Sequence, residues 1–210
     1  EFNLEKNAPI KNLSAAQTQA LDEINTSFIK NDITLLQGVT SSGKTEIYVQ
    51  LIDYAIKQGK QVLYMLPEIA LTTQLISRLQ NYFGEKISVY HSKYSISERV
   101  EVWNNVLDHK AKAQIIIGAR SSLFLPFSKL GLLIVDEEHE PSFKQYAPSP
   151  RYNGRDSAVV LAKYHGAKLL MGSATPSLES FFNATNNRYG LVTLKKRFGN
   201  VLMPEIELVD

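Results

Sequence analysis

Two stretches of this 210-residue chain carry residue types at spacings suited to phosphate chemistry. In Gly38-Val39-Thr40-Ser41-Ser42-Gly43-Lys44-Thr45, glycines bracket a hydroxyl-rich turn that closes on Lys and Thr. Glycines let the backbone curl so that its N–H groups point inward, and a helix starting at Lys44 would add the positive end of its dipole. Such a loop holds the β- and γ-phosphates of a nucleotide. Gly38, Thr40, Ser41, Ser42 and Gly43 would form the cradle, Lys44 would bring a point charge to the same oxygens, and the Thr45 hydroxyl would ligate Mg²⁺. The alternative is a Gly/Ser-rich turn that matches the pattern by chance; a strand before the loop and a helix after it favour the phosphate reading.

The second stretch is Asp136-Glu137-Glu138-His139, at the end of the apolar run Leu132-Leu133-Ile134-Val135. A carboxylate at the tip of a buried strand beside a phosphate loop suits Mg²⁺, which Asp136 would hold through water. Glu137 is then placed to orient and deprotonate the attacking water. Alone, the run reads equally well as an acidic surface turn, and His139 as a surface histidine. Gly172-Ser173-Ala174-Thr175-Pro176 ends another apolar run. Ser173 and Thr175 could bond the Asp136–His139 segment, although an ordinary strand-to-helix turn with a proline at the first helical position explains the same residues.

The elements that must position these residues alternate between short β-rich runs and helical patterns, the mark of a parallel sheet covered on both faces. Strands are predicted at Ile33–Gln37, Gln61–Leu66, Ile87–His91, Gln114–Gly118, Leu132–Asp136 and Lys168–Gly172. Helices are predicted at Ala15–Phe28 (capped by Ser14), Lys44–Lys57, Leu71–Tyr82, Ile96–His109, Arg155–Tyr164 and Leu178–Ala184. The fold class expected is α/β, a P-loop NTPase with a RecA-like parallel sheet sandwiched by helices. One connection is long: Glu137 to Gly154 carries Pro141, Pro148 and Pro150 without periodicity, and long loops in compact domains are often functional.

Composition excludes more than it specifies. With 23 basic and 21 acidic residues the formal charge is +2, which selects no partner. The chain has no cysteine, so disulfides and cysteine-based metal sites are excluded within it, and His91, His109, His139 and His165 show no metal-ligand spacing. No run of about 18 apolar residues is present, so no membrane helix is expected, nor is a signal peptide. The chain begins without Met, which suggests a fragment of a longer protein.

Together, the phosphate loop, Asp-Glu-Glu-His and Ser-Ala-Thr resemble motifs I, II and III of superfamily 2 helicases. The wording is similar to that of the PriA family of primosomal replication-restart helicases (primosomal protein N′) in Gly38–Tyr48, Leu66-Pro67-Glu68-Ile69-Ala70-Leu71-Thr72, Gly118-Ala119-Arg120-Ser121-Ser122-Leu123-Phe124, Asp136–His139 and Gly172–Ser180. The resemblance runs from about Leu13 to the end. It implies a first motor lobe over residues 13–200, after an extension over 1–12 and before the start of a link over 201–210.

The resemblance also implies roles that the residues alone do not. Gln17, which physics alone would leave exposed on a helix, would read the adenine edge of ATP. Thr72, Thr73, Arg120 and Ser121 would lie along single-stranded DNA, and His139 would couple the nucleotide site to Ser173, Thr175 and DNA. In the long loop, Phe143, Tyr146 and Tyr152 interleave with Lys144, Arg151 and Arg155. Such aromatics would ordinarily tuck into the core, but the resemblance favours base stacking and phosphate contact. It further implies 3′-to-5′ unwinding at forked DNA, primosome proteins and a single-strand-binding protein as partners, and a cytoplasmic setting. A zinc module and a second lobe with an arginine finger would belong to other parts of the full-length protein. Other superfamily 2 translocases, on DNA or RNA, remain the alternative. A P-loop kinase would leave Ser-Ala-Thr without a role, and a vestigial binding module would not be expected to keep Lys44, Thr45, Asp136 and Glu137.

Overall fold

The computed structural model describes residues 8–91 and 94–197. In chain order the elements are α1 (Ala15–Lys30), β1 (Ile33–Gly38), α2 (Lys44–Lys57), β2 (Gln61–Met65), α3 (Thr73–Phe83), β3 (Ile87–Tyr90) and α4 (Ile96–Leu107). Then come β4 (Ile115–Gly118), β5 (Leu130–Asp136), α5 (Gly154–His165), β6 (Lys168–Ser173), α6 (Leu178–Thr185) and β7 (Gly190–Leu194).

Among the described residues the strands form one seven-stranded sheet in the order β3-β4-β2-β5-β6-β1-β7. Every pairing is parallel. Neighbouring residues on a strand face opposite sides, and both sides are buried, which explains the continuous apolar runs. Leu36, Tyr64, Ile134 and Leu170 pack on one face with Ile24 of α1, Ile47 of α2 and Leu79 of α3. Leu35, Leu63, Leu133 and Leu169 pack on the other with Val106 of α4, Ala158 of α5 and Ala184 of α6. This is the RecA-like P-loop NTPase architecture, with helices on both faces of a parallel sheet.

Each predicted strand and helix is present, within a few residues at its ends. β7 is additional. It pairs with β1 from Thr34↔Gly190 to Gly38↔Leu194 and buries only alternate residues, as an edge strand does. Gln17 departs from its expected exposure: it is 2% exposed, because Ser14 and Gln17 form a reciprocal capping box whose far side faces the phosphate loop. No helix among the described residues is long and apolar enough to cross a membrane. The link expected over 201–210 lies outside the described residues.

Candidate nucleotide site

The sheet register brings the chemistry to one edge. Gln37 pairs with Ser173 across β1 and β6, and Asp136 pairs with Gly172 across β5 and β6. The carboxyl ends of β1, β5 and β6 therefore lie side by side, where open parallel sheets bind ligands. A cleft of about 610 Å³ opens there, lined by Thr40, Lys44, Thr45, Asp136, Glu137 and Thr175. A larger cavity of about 880 Å³ between α1 and β7 holds none of the predicted site residues.

The loop from Gly38 to Gly43 is locked from behind. Ser41 (φ 61°) and Gly43 (φ 80°) turn left-handed, which bends the chain over before α2 begins. Gln17 Nε2 donates to the carbonyls of Ser42 and Gly43, each at 3.3 Å, and Gln17 Oε1 accepts from the Ser14 N–H at 2.9 Å. A Cβ at Gly43 would fall 2.3 Å from Gln17 Nε2. Gln17 lines the cleft, but its amide is bound to the loop, so here it acts as a brace. Thr40 and Ser41 are exposed. Ser42 is buried, and its Oγ has no hydrogen-bond partner among the described residues.

Lys44 and Glu137 face one another across the cleft. Lys44 Nζ donates to the Gly38 carbonyl at 3.1 Å and lies 3.8 Å from Glu137 Oε1. Glu137 sits in a left-handed turn (φ 49°) directly after β5. Asp136 is held deeper. Tyr48 donates to its Oδ1 at 2.9 Å and Tyr64 to its Oδ2 at 3.0 Å, while the Glu137 N–H donates to Oδ1 at 3.1 Å. Burial, followed by the Glu137 charge, holds the Asp136 carboxyl above the usual carboxylate range, against the opposing pull of Tyr48, Lys44 and Tyr64. Burial and the same carboxylate push both phenols well above their ordinary value.

Neither tyrosine was expected in the site. A tyrosine amid the apolar run of β2 was the available signal, since a buried phenol needs a partner for its hydroxyl.

The third residue of the acidic run was also missed. The Glu138 side chain is fully buried. Its Oε1 accepts from the Ser177 N–H at 2.7 Å, and its Oε2 accepts from the hydroxyls of Ser177 at 2.9 Å and Ser180 at 2.7 Å. Arg155 Nη1 completes the shell at 3.4 Å. In the turn after β6, Ser173 Oγ meets His139 Nδ1 at 2.8 Å and accepts from the Thr175 N–H at 3.0 Å. Of the two hydroxyls expected to bond the acidic run, that of Ser173 does so, while Thr175 enters through its backbone N–H to Ser173.

The expected DNA-facing residues divide. Thr72 and Thr73 are exposed at the start of α3, where the Thr72 hydroxyl caps the helix by accepting from the Leu75 N–H at 3.3 Å. Tyr146 and Arg151 are exposed in the long loop, and Thr175 is exposed at the cleft. Ser121 is half-buried. Arg120 turns inward, donating from Nη1 to the carbonyls of Ser142 (2.6 Å) and Lys144 (3.2 Å), and so buttresses that loop. Lys144 Nζ donates to the Arg151 carbonyl at 3.3 Å, and Tyr152 is half-buried in edge contact with Phe124.

Two expectations for the loop are corrected. Phe143 is 2% exposed within the core against α5, so its ring is not a free stacking platform. Arg155 is buried and paired with Glu138, Asp156 and Glu179 rather than presented to phosphates.

Sequence and fold comparisons place the chain among helicase domains. Residues 14–182 match the family model described as DEAD/DEAH box helicase. The chain is 47% identical over 199 residues to the replication restart protein PriA of Rickettsia prowazekii, covering 94% of this chain and 30% of that protein. It is 42% identical over 181 residues to the Bacillus subtilis protein of the same name, covering 86% and 22%. The chain thus spans less than a third of these relatives. Among solved structures, RecG bound to a three-way DNA junction superposes with a TM-score of 0.62 at 22% identity, covering 96% of this chain and 25% of that one. The helicase MrfA bound to DNA gives 0.61 at 19% identity, covering 88% and 27%. At these identities the structural likeness shows the fold alone.

Proposed function

The chain belongs to the DEAD/DEAH box helicase family, and from that premise we propose that it is the ATP-binding lobe of an ATP-dependent DNA helicase of replication restart. In this reading it couples ATP hydrolysis to 3′-to-5′ translocation on single-stranded DNA at forks. The observation that carries it is the meeting of Lys44, Glu137 and the Ser173–His139 pair at one sheet edge. The wording shared with the PriA proteins supports the replication-restart setting; primosome proteins and a single-strand-binding protein as partners, and a cytoplasmic setting, are proposed from the family resemblance alone.

The donor set fits Mg²⁺-ATP. The N–H groups of Lys44 and Thr45 open α2, where first-turn donors lack intrahelical acceptors, the Ser42 hydroxyl has no partner among the described residues, and Lys44 and Thr45 line the same cleft. Thr45 and Asp136 would hold the cation, Asp136 through its hydration shell. Bound there, Mg²⁺ would neutralise charge on the phosphate oxygens.

The residues themselves supply the remaining steps. Lys44 Nζ exchanges its hold on the Gly38 carbonyl and Glu137 for the β- and γ-phosphate oxygens. That exchange leaves Glu137 free to orient a water and accept its proton as the water oxygen bonds to the γ-phosphorus and the bond to the ADP oxygen breaks. His139 senses the same turn through Ser173, which places nucleotide state in contact with the exposed Thr175. Zinc, by family resemblance, would be held in other parts of the full-length protein, and an arginine finger from a second lobe would complete the charge stabilisation.

The test is ATP hydrolysis by the full-length protein with forked DNA, single-stranded DNA or RNA. Stimulation by DNA is expected. Equal or greater stimulation by RNA would favour another superfamily 2 translocase, and no stimulation by either would remove the motor reading.

A further inference from the structure

We propose that the Tyr48 and Tyr64 hydroxyls are positioning groups that confine Asp136 to water-mediated contact with a divalent cation, the mode that suits Mg²⁺. The inference rests on the nucleotide site proposed above and concerns how that site selects its cation.

The two phenols reach Asp136 from different elements, α2 and β2, and both residues are fully buried. Their rings meet edge to face at 5.6 Å and 74°, so each limits the other's movement. Each carboxylate oxygen accepts one phenol, and Oδ1 also accepts the Glu137 N–H. An ionised carboxylate offers about four lone-pair sites. Three are already engaged, and the free one belongs to Oδ2.

Such a carboxylate can meet one more donor but cannot turn to chelate. Mg²⁺ keeps several of its waters and binds through few carboxylate oxygens, whereas the larger Ca²⁺ accepts bidentate carboxylates. Space for the arrangement comes from Gly172: a Cβ there would fall 1.8 Å from Tyr48 Oη and 3.1 Å from Asp136 Oδ1. The sheet register thus places a glycine opposite Asp136 where any side chain would displace the phenol. A tyrosine needing only a partner for its buried hydroxyl would be served by one acceptor. Here two phenols converge on a single buried carboxylate that lines the cleft.

The experiment measures binding of a fluorescent, non-hydrolysable ATP analogue to the full-length protein, wild type and the Tyr48→Phe and Tyr64→Phe variants. Titrations run in EDTA, with Mg²⁺ and with Ca²⁺. Equal binding in EDTA is expected, because the loop and Lys44 are untouched, and it also reports an intact fold. Tightening by Mg²⁺ should fall about tenfold, the loss expected for one hydrogen bond to a charged group, while tightening by Ca²⁺ is kept or increased. Unchanged Mg²⁺ tightening in both variants would overturn the inference. So would equal loss with Mg²⁺ and Ca²⁺, which marks a purely structural role. If Tyr48→Phe loses binding in EDTA, Tyr64→Phe alone decides the question, since its hydroxyl holds the oxygen with the free lone pair. A wild-type protein that binds the analogue in no condition would remove the nucleotide site itself.

Discussion

Ser173 Oγ and His139 Nδ1 lie 2.8 Å apart and join the turn after β6 to the acidic run after β5. Ser173 is fully buried, whereas His139 reaches the cleft. The pair is the direct side-chain link between the residues that would act on ATP and the turn that carries exposed Thr175. Ser173→Ala is expected to leave nucleotide affinity within about twofold and to reduce DNA stimulation of ATP hydrolysis by about tenfold, the scale of one lost hydrogen bond in a coupled network. Paired measurements of analogue binding and DNA-dependent hydrolysis check this; full stimulation in the variant would remove the coupling role.

Lys44→Ala removes the cation that faces both the loop and Glu137. Hydrolysis by the full-length protein should fall by at least about a hundredfold, as when a group stabilising transition-state charge is lost. The fold should persist, because Lys44 sits at the edge of the core. Circular dichroism with a steady-state assay tests both; persistent unwinding would refute the assigned site.

Glu138→Ala should be the most destabilising change in the acidic run. It leaves Arg155, Ser177 and Ser180 without their shared acceptor in a buried setting. Breaking a buried pair costs about 3–5 kcal/mol, and the value here should lie near the lower end because Arg155 keeps Asp156. Urea unfolding measures it, and a loss below about 1 kcal/mol, the scale of a surface pair, would contradict the picture.

Asp136→Asn should stabilise the fold while abolishing hydrolysis. The Asp136 pKa is raised in the folded state by burial and by Glu137. With a raised carboxylate pKa, no penalty exists below the unfolded value, where both states are protonated. The penalty grows as pH rises from the unfolded value through the folded one, because the unfolded chain ionises first. The stabilising effect should therefore be present at neutral pH and vanish below about pH 4, near the unperturbed aspartate value. Thermal melts in EDTA across that range check the sign.

Phe143→Ala and Tyr146→Ala should separate the two kinds of aromatic in the long loop. Phe143 is in the core, so its truncation should cost about 3–5 kcal/mol of stability. Tyr146 is 69% exposed, so its loss should leave stability nearly unchanged. If the loop stacks on bases, that loss should weaken single-strand binding by about 1–3 kcal/mol. Denaturation and DNA titration of both variants distinguish these outcomes.

Amino-acid order alone determined the elements that repeat locally. Strands buried on both faces leave unbroken apolar runs, so the five inner strands were legible, and the edge strand β3 (Ile87–Tyr90) was read with them. The phosphate loop was legible because its chemistry is contiguous, and Asp136 because it ends such a run. β7 was not: in Gly190–Leu194 only Val192 and Leu194 are buried, Leu191 and Thr193 are exposed, and Thr193 breaks the apolar run.

What only tertiary structure decided is which distant side chains meet. Tyr64 and Gly172 flank Asp136 through sheet register, and Tyr48 reaches it from α2. Gln17 reaches the loop because α1 packs against the start of α2. Glu138 turns inward to Arg155, Ser177 and Ser180 although its neighbours in the run face the cleft. Phe143 enters the core while Tyr146 stays out, though both sit in one aperiodic loop. In each case the deciding term is the desolvation of a polar or aromatic group. That term is set by the neighbours supplied from other elements, and local spacing carries no record of them.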